Sequence, residues 1–231
     1  MPEIASPSKT ISIMQPYFLP YAGYFRLLTG SDLFVIYDCV QFQRRGRMHR
    51  NQLRTASGRL DWLTLPLEKA PQEVLIRDLR FRKGAQNEME SMMPRFPALT
   101  APTRLPASFA DAVRALGGPP VDYIVELLRL AAEIMHLPWR VMHSSELALP
   151  RELRGQDRII AICKACGATS YLNAPGGRDL YEPSVFADAG LQLRFLPAHV
   201  GSYDSIAQRL ATEDAELVAA EIHAGTTPRA A

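Results

Sequence analysis

Hydrophobic and polar positions along the chain predict strands and helices in alternation. Short β-like apolar runs are followed by stretches in which apolar residues recur every three or four positions, the spacing of a half-buried helix. The first run, 11–14, is followed by such a stretch at 21–29 and by a second run at 33–37. A strand, a helix and a strand of these lengths predict a βαβ unit with two parallel strands.

The alternation continues to the end of the chain. We predict further strands at 60–67, 74–81, 139–143, 170–173 and 191–196, and helices at 85–91, 108–116, 123–135, 157–166, 186–189 and 205–224. The basic stretch 41–54 carries no predicted element. Alternating elements predict an α/β fold, with a mixed, mostly parallel sheet flanked by helices in a Rossmann-like three-layer sandwich.

A single domain is expected to run from 10 to 225. Residues 1–9 lack an apolar signal core and are expected to form a flexible lead, with 226–231 as a flexible tail. Between 94 and 120 lie six prolines and a glycine pair, which predict a connecting segment around one short helix. This connection leaves a two-lobed arrangement open.

Composition narrows the class of protein. A chain of 231 residues, of which 47% are hydrophobic and 22% charged, is ordinary for a globular protein with a substantial core. A net charge of +2 argues against a nucleic-acid-binding scaffold. No apolar run approaches the length of a membrane span, so we expect a cytoplasmic protein without membrane insertion.

Cysteine and histidine spacing argues against a metal site. Cys163 and Cys166 form a pair that suits a redox motif or half of a zinc site, but they fall in a predicted amphipathic helix and no second pair completes a four-thiolate site. The five histidines are scattered and form no metal-binding motif. We therefore predict no metal and no cofactor. Cys39 is expected to be a small buried hydrophobe, although an acyl-cysteine there is chemically conceivable.

The loop after the first strand is the strongest candidate for a ligand site. Pro16 and Pro20 restrict its backbone, and it carries Gln15 with three tyrosines, Tyr17, Tyr21 and Tyr24. Ligands of α/β proteins bind beyond the carboxyl ends of strands, which is where this loop lies.

A basic segment follows the second strand at the same predicted sheet edge. From 41 to 54 there is no acid, and the arginines are Arg44, Arg45, Arg47, Arg50 and Arg54. Arginine forks suit phosphate or carboxylate oxygens, so we predict a pocket containing Asp38, Gln41, Arg50 and Asn51. The alternative is a solvated basic face. His49 is the only histidine in this candidate site and is a candidate general base, unless it is one more surface group.

A third candidate segment follows the predicted strand 170–173. It contains Asn173, the pair Gly176-Gly177 and Tyr181. Paired glycines can turn backbone N–H groups toward an anion, but the same residues also form plain tight turns. Neither a P-loop nor a dinucleotide-binding fingerprint is present.

Four ordered blocks of the chain resemble the WbqC-like family. They are Gln-Pro-Tyr-Phe-Leu-Pro-Tyr-Ala-Gly-Tyr-Phe at 15–25, Tyr-Asp-Cys-Val-Gln-Phe at 37–42 with Arg50-Asn51, Trp-Leu-Thr-Leu-Pro at 62–66, and Gly-Gln-Asp-Arg-Ile-Ile at 155–160 with Gly167-Ala168, Tyr171 and 173–181. The chain departs from the pattern at Met48 and His49, where the family tends to have an aromatic residue and an asparagine.

The resemblance implies an enzyme of bacterial surface-polysaccharide or natural-product assembly. The implied activity is transfer of an acyl or aminoacyl group onto an amine, such as that of an amino sugar, from a thioester of CoA or a carrier protein or from another activated donor. Asp38 or His49 is the expected base, with Gln15 beside them as a catalytic candidate.

The remaining candidates are assigned to substrate binding. They are Tyr17, Tyr21, Tyr24, Gln41, Arg50, Asn51, Asn173, Gly176, Gly177 and Tyr181. Two other functions use the same features: a nucleotide- or phosphoryl-handling transferase, and a non-catalytic module that binds a nucleotide sugar.

Overall fold

The computed structural model describes residues 8–227 and 229–230. The strands are β1 (Thr10–Met14), β2 (Leu33–Ile36), β3 (Arg50–Arg54), β4 (Leu60–Thr64), β5 (Val141–His143), β6 (Ser170–Asn173), β7 (Gln192–Phe195) and β8 (Arg229–Ala230). The helices are α1 (Ala22–Thr29), α2 (Ala85–Met92), α3 (Ala107–Arg114), α4 (Pro120–Ile134), α5 (Gly155–Ala165), α6 (Pro183–Asp188), α7 (Ile206–Thr212) and α8 (Ala215–Ala224).

Six strands form the central sheet, in the order β5-β2-β1-β6-β7-β8. The first five are parallel, and β8 runs antiparallel to β7 at the edge. The register places Ile13 opposite Val35 and Ile11 opposite Tyr171. The predicted α/β fold with a mixed, mostly parallel sheet is therefore confirmed.

Alternate residues of the strands face two separate layers. On one face, Ile13 and Val35 belong to an apolar cluster with Ile159 of α5 and Phe186 of α6. On the other face, Phe34 and its neighbours belong to a larger cluster that includes residues of α1, α4, α7 and α8. Burial of both faces explains why β2, Leu-Phe-Val-Ile, is wholly apolar.

A two-stranded hairpin, β3 and β4, lies outside the main sheet. The sequence predicts no element at 41–54, and β3 is the part that it misses. Leu53 and Asn51 are the buried positions of β3, so that a polar residue occupies one of its two core-facing places. This hides the two-residue alternation by which a strand is recognised.

Two further predictions of elements are wrong. The predicted strand 74–81 contains a 3-10 turn, Ile76–Asp78, with single bridges between Gln41 and Leu75 and between Leu67 and Phe81. The predicted helix 205–224 is two helices, because Asp214 caps α8 by accepting a hydrogen bond from the backbone N–H of Glu216.

The proline-rich stretch 94–120 contributes to the main core. Leu99, Phe109 and Val113 are buried in the same apolar cluster as Phe34 of the sheet. The segment therefore belongs to the same core as the sheet, and within it α3 contacts α4 and α2.

The chain ends are held to the sheet within the part that the structure describes. Lys9, assigned to the flexible lead, donates its backbone N–H to Thr169 Oγ1 at 3.0 Å. In the expected tail, residues 229–230 pair with β7 as β8. Lys9 and residues 229–230 therefore contact the sheet region within the predicted lead and tail, while residues 1–7, 228 and 231 lie outside the described residues. No described helix has the length and apolar character needed to cross a bilayer.

Candidate functional site

Two neighbouring depressions lie at the carboxyl ends of β2 and β5. The larger, here called the arginine cleft, has a volume of about 670 Å³. It is lined by Tyr37, Cys39, Val40, Gln41, Glu73, Leu75, Arg77, Asp78, residues 147–149, Arg151, residues 153–155 and Arg158. The smaller, here called the His143 depression, has a volume of about 340 Å³ and is lined by Asp38, Arg77, Pro119, Val121, Asp122, His143, Ser145 and Glu146.

Asp38 lies directly after β2, and its carboxylate receives four hydrogen bonds. Oδ1 accepts from Ser144 Oγ at 2.7 Å and from the backbone N–H of Ser145 at 2.9 Å. Oδ2 accepts from Ser145 Oγ at 2.5 Å and lies 3.2 Å from His143 Nδ1. Asp38 is only 1% exposed, so its carboxylate is satisfied by these protein donors and not by solvent.

These contacts determine the protonation of Asp38. Burial alone raises the pKa of the carboxyl, but the hydrogen bonds from His143, Ser145 and Ser144 outweigh it and hold the pKa at about 2. A buried carboxylate with this low pKa is poorly suited to take a proton from a substrate. The geometry instead gives Asp38 the role of orienting His143.

His143 is the last residue of β5 and lies at the mouth of its depression. The hydrogen bond to Asp38 raises the pKa of the imidazole, against the opposing effect of burial, and the charges of Asp122 and Glu146 add to the rise. Since ionised Asp38 can only accept, Nδ1 of His143 must carry the hydrogen of this bond. The other nitrogen, Nε2, takes no part in the contact with Asp38.

The sequence interpretation treated His143 as one of several scattered histidines. A usable signal existed, because His143 ends a predicted strand and Asp38 follows another. Parallel strands that are neighbours in the sheet place such residues side by side, and β2 pairs directly with β5. The sequence does not show that β2 and β5 are neighbours in the sheet, so it could not place His143 beside Asp38.

Arg77 connects the two depressions. Its backbone N–H donates to the carbonyl of Asp38 at 3.1 Å, and its side chain lines both cavities. Arg77 Nη1 also lies 3.7 Å from Cys39 Sγ. The arginine therefore places a positive charge between the Asp38–His143 pair and the arginine cleft.

The arginine cleft combines apolar walls with positive charge. Four arginines line it, against two acids, Glu73 and Asp78. Tyr37 also contributes, and burial raises the pKa of its phenol to about 12, so the group remains a hydrogen-bond donor at neutral pH. Among the predicted site residues, Gln41 lines this cleft, with its side-chain amide bonded to the carbonyl of Gln72 at 2.8 Å.

The structure separates His49 from Asp38. His49 packs edge-on against Phe42 at 4.9 Å and lines a different depression, beside Leu65 and Glu68. Burial, with the nearby charge of Arg50, lowers the pKa of His49 to about 4. This environment does not match the base at the Asp38 site that the sequence suggests.

The five arginines of 41–54 mostly bind the protein itself, so they do not form the expected phosphate pocket. Arg50 and Arg47 lie over the ring of Trp62, at 4.3 and 4.9 Å from its centroid. Arg54 pairs with Asp204 at 3.1 Å, and Arg44 donates to the carbonyl of Ala70. These contacts are local to the hairpin and its surroundings, as cation–π and surface pairs commonly are.

Asn51 holds the loop that follows β1. Its Nδ2 donates to the carbonyl of Leu19 at 2.5 Å, and its Oδ1 accepts from Arg47 Nη1 at 3.1 Å. Ser205 Oγ donates to the same Leu19 carbonyl at 2.9 Å. Leu19 has a positive φ of 47°, a strained conformation for a leucine that these bonds stabilise. Asn51 is thereby committed to the protein and not to a substrate.

The tyrosines of the same loop form an aromatic group with residues 199–203. Tyr21 stacks on Tyr203 with ring centroids 5.0 Å apart, and Tyr17 meets Tyr24 edge-on at 5.9 Å. Tyr24 is buried and donates to the backbone carbonyl of Gln15 at 3.0 Å. Tyr24 therefore supports the loop, while Tyr17 and Tyr21 remain partly accessible.

Gly176 and Gly177 do not form the predicted anion nest. They lie in a 3-10 helix, Pro175–Leu180, and neither has the positive φ that turns successive N–H groups to one side. Gly177 is instead covered by the side chain of Asn173, whose Oδ1 accepts from the backbone N–H of Ala174 at 2.8 Å. Tyr181 packs edge-on against Tyr171 at 5.8 Å.

The cysteines carry little chemistry in this arrangement. Burial raises the pKa of the Cys163 thiol to about 12 and also raises that of Cys166, so both are poor nucleophiles. Within the described ranges, no group of three or more His, Cys, Asp or Glu side chains is placed to hold a metal ion.

Comparison with known proteins places the chain in a family. It matches an uncharacterized protein of Mycobacterium tuberculosis, Rv1507c, with 25% identity over 202 residues, covering 80% of each chain. No solved structure gives a significant match. The model of the WbqC-like protein family matches residues 15–210, which include Asp38, Arg77, His143 and the whole arginine cleft. The chain therefore belongs to the WbqC-like protein family.

Proposed function

We propose that this protein is an acyl- or aminoacyltransferase that forms an amide between an activated donor and an amine. The observation that carries the proposal is the Asp38–His143 pair, which lies at the sheet edge beside the arginine cleft. A histidine oriented by a buried carboxylate is a common general base, and acyl transfer to an amine requires removal of one proton.

In the proposed reaction, His143 Nε2 takes the proton of the attacking amine. The nitrogen forms a bond to the carbonyl carbon of a thioester, and the carbonyl oxygen becomes an oxyanion. When the C–S bond breaks, His143 returns the proton to the departing thiolate. Asp38 stays ionised throughout and stabilises the charged imidazole.

Arg77 is the proposed partner of the oxyanion. It lines both depressions, so a carbonyl bridging them would meet the guanidinium. Positive charge aimed at the developing oxyanion commonly lowers the barrier by about 3 kcal/mol.

The arginine cleft is the proposed donor site. Its leucine and valine walls suit the organic arm of a thioester, and its arginines suit the anionic carrier of CoA or of a carrier protein. The acceptor is proposed to be an amino sugar or a natural-product intermediate, in line with the family resemblance. The cytoplasm is the proposed location of the reaction.

A panel of small molecules tests the reaction. The purified protein is incubated with acyl and aminoacyl thioesters of CoA and carrier protein, together with amino-sugar nucleotides, and both protein and products are followed by mass spectrometry. A new amide that disappears in His143→Gln supports the proposal. A stable acyl adduct on Cys39 would indicate instead that the acyl group passes first to Cys39 and not directly to the amine.

Two other outcomes would reject acyl transfer. Transfer or hydrolysis of nucleotides, without any amide, would identify a phosphoryl-handling transferase, since the arginine cleft would serve that chemistry as well. Binding of nucleotide sugars that raises the melting temperature, with no product from any donor, would identify a binding module.

A further inference from the structure

The first turn of α5 forms part of the wall of the arginine cleft. The backbone N–H groups of Gly155, Gln156 and Asp157 precede the first intrahelical bond and have no acceptor among the described residues. Arg154 occupies the N-cap position, and no side chain caps the helix. Gly155 lines the cleft, so its free N–H and the positive end of the helix dipole lie at the cleft wall.

Arg158, one turn further along α5, gives a second and independent indication. The residue is only 7% exposed, yet it lines the cleft. One of its nitrogens, Nη1, donates to the carbonyl of Pro150 at 3.2 Å, while Nε is buried without a partner. No carboxylate pairs with Arg158 in the described part of the chain. A buried cation without a counter-ion is costly, which a bound anion would relieve.

We propose that this end of the cleft binds the phosphate or diphosphate group of a substrate. Arg158 and the N–H groups of the first turn of α5 hold the anion, with Arg151 and Arg154 at the rim. The two acids of the cleft, Glu73 and Asp78, come from the segment that carries Arg77. Because they would repel an anion, the anion is assigned to the α5 side of the cleft.

The apolar residues beside this anion site indicate what the phosphate is attached to. Leu75, Leu147 and Leu149 line the same cavity, whose volume is in the range of small-molecule sites. A diphosphate flanked by organic groups matches this lining. It is present in CoA, a donor carrier, and in nucleotide-linked sugars, which would be acceptors. The inference rests on the proposed function only in taking the arginine cleft as the substrate site.

Binding measurements test the site without any turnover. Pyrophosphate, CoA and UDP-N-acetylglucosamine are titrated calorimetrically into the full chain and into Arg158→Lys, Arg151→Gln and Arg59→Gln. Arg158→Lys keeps the charge but loses the fork, so pyrophosphate binding should weaken by about tenfold or more. Arg151→Gln should weaken it by a smaller factor. Arg59 is exposed in the β3–β4 turn, and its variant should bind as the parent does.

The results distinguish CoA from a UDP-sugar as the source of the diphosphate. They also distinguish failure of the anion site from failure of the proposed acyl transfer. If CoA binds tightly and UDP-N-acetylglucosamine weakly, the site belongs to the acyl donor. If the UDP-sugar binds tightly and CoA weakly, the site belongs to the acceptor. Absence of binding by all three probes overturns the site, as does unchanged binding in Arg151→Gln and in a folded Arg158→Lys. Amide formation from a phosphate-free thioester, without pyrophosphate binding, would reject the anion site alone. Pyrophosphate binding without amide formation from any donor would reject acyl transfer alone.

Discussion

His143 Nδ1 lies 3.2 Å from Asp38 Oδ2, at the point where two neighbouring parallel strands end. The two side chains come from segments separated by 105 residues, and each changes the ionisation of the other. The pKa of Asp38 is held at about 2, and the pKa of His143 is raised above its usual value near 6.5.

Replacing Asp38 with asparagine should lower the pKa of His143. The hydrogen bond and the negative charge that stabilise the imidazolium are lost, while burial continues to favour the neutral ring. The histidine signals followed by NMR across pH 5–9 measure this directly, with the exposed His136 as an internal reference. A His143 titration that does not move in Asp38→Asn would contradict the pairing.

His143→Gln should abolish most turnover, whereas His49→Leu should retain it. Loss of a general base typically lowers the rate by about a hundredfold to ten-thousandfold. His49 packs against Phe42, away from Asp38, so its replacement should change the rate only a few-fold. The measurement is kcat for amide formation in variants with unchanged melting temperatures, and an equal loss in both would argue against the assignment to His143.

Acid should destabilise the protein through His49. Its pKa is about 4 when folded and near 6.5 when unfolded, so the unfolded chain takes up a proton over this interval and the folded chain does not. Stability is therefore fully present above about pH 6.5 and falls as the pH is lowered to 4. With allowance for partial solvation, the loss is about 2 kcal/mol.

Urea unfolding of His49→Leu at several pH values isolates this contribution. The variant should show a flatter dependence of unfolding free energy between pH 6.5 and 4. Asp38 changes the unfolding free energy at lower pH, between about 4 and 2, because its folded pKa of about 2 lies below that of an unfolded aspartate near 4. His143, with a raised pKa, contributes stability below about pH 6.5 that is lost as the pH rises above it. An identical slope in variant and parent would show that His49 is not the group responsible.

Gly177→Ala should destabilise the protein, and Gly176→Ala should not. A Cβ at 177 would lie 2.1 Å from Asn173 Nδ2, so the buried asparagine would have to move. A Cβ at 176 would meet nothing within 4 Å. Overpacking of this kind costs about 1–3 kcal/mol, which is measurable by urea unfolding. Equal stability of the two variants would show that the Asn173 contact is easily rearranged.

Local patterning predicts much of the fold, because apolar spacing reflects burial on one or both faces. The strand at 170–173 and the helices around α1, α4 and α5 follow this rule. Strand β3 escapes it, since buried Asn51 interrupts the apolar alternation, and so does the break at Asp214, where a single capping bond divides α7 from α8.

The site is less predictable than the fold. Asp38 and Gln41 could be found from their place after a strand, as could the sheet edge at which a ligand would bind. His143 also ends a predicted strand, but placing it beside Asp38 requires the order of strands in the sheet. Arg77 and Arg158 are recognised only from their contacts and burial, which local sequence does not encode. The five arginines of 41–54 suggest an anion site from the sequence, but Arg50 lies over Trp62 and Arg54 pairs with Asp204, so these two bind the protein itself.

The bond from Ser144 to Asp38 spans 106 positions of the chain, which has a consequence for synthesis on the ribosome. A nascent chain contains the carboxylate long before it contains the histidine and the serines that surround it. Closing so long a loop is entropically unfavourable until β1, β2 and β5 are all in the sheet. The Asp38–His143 pair is thus absent from every nascent chain that ends before β5 is in the sheet, so the proposed proton transfer cannot begin until that strand has been made and paired.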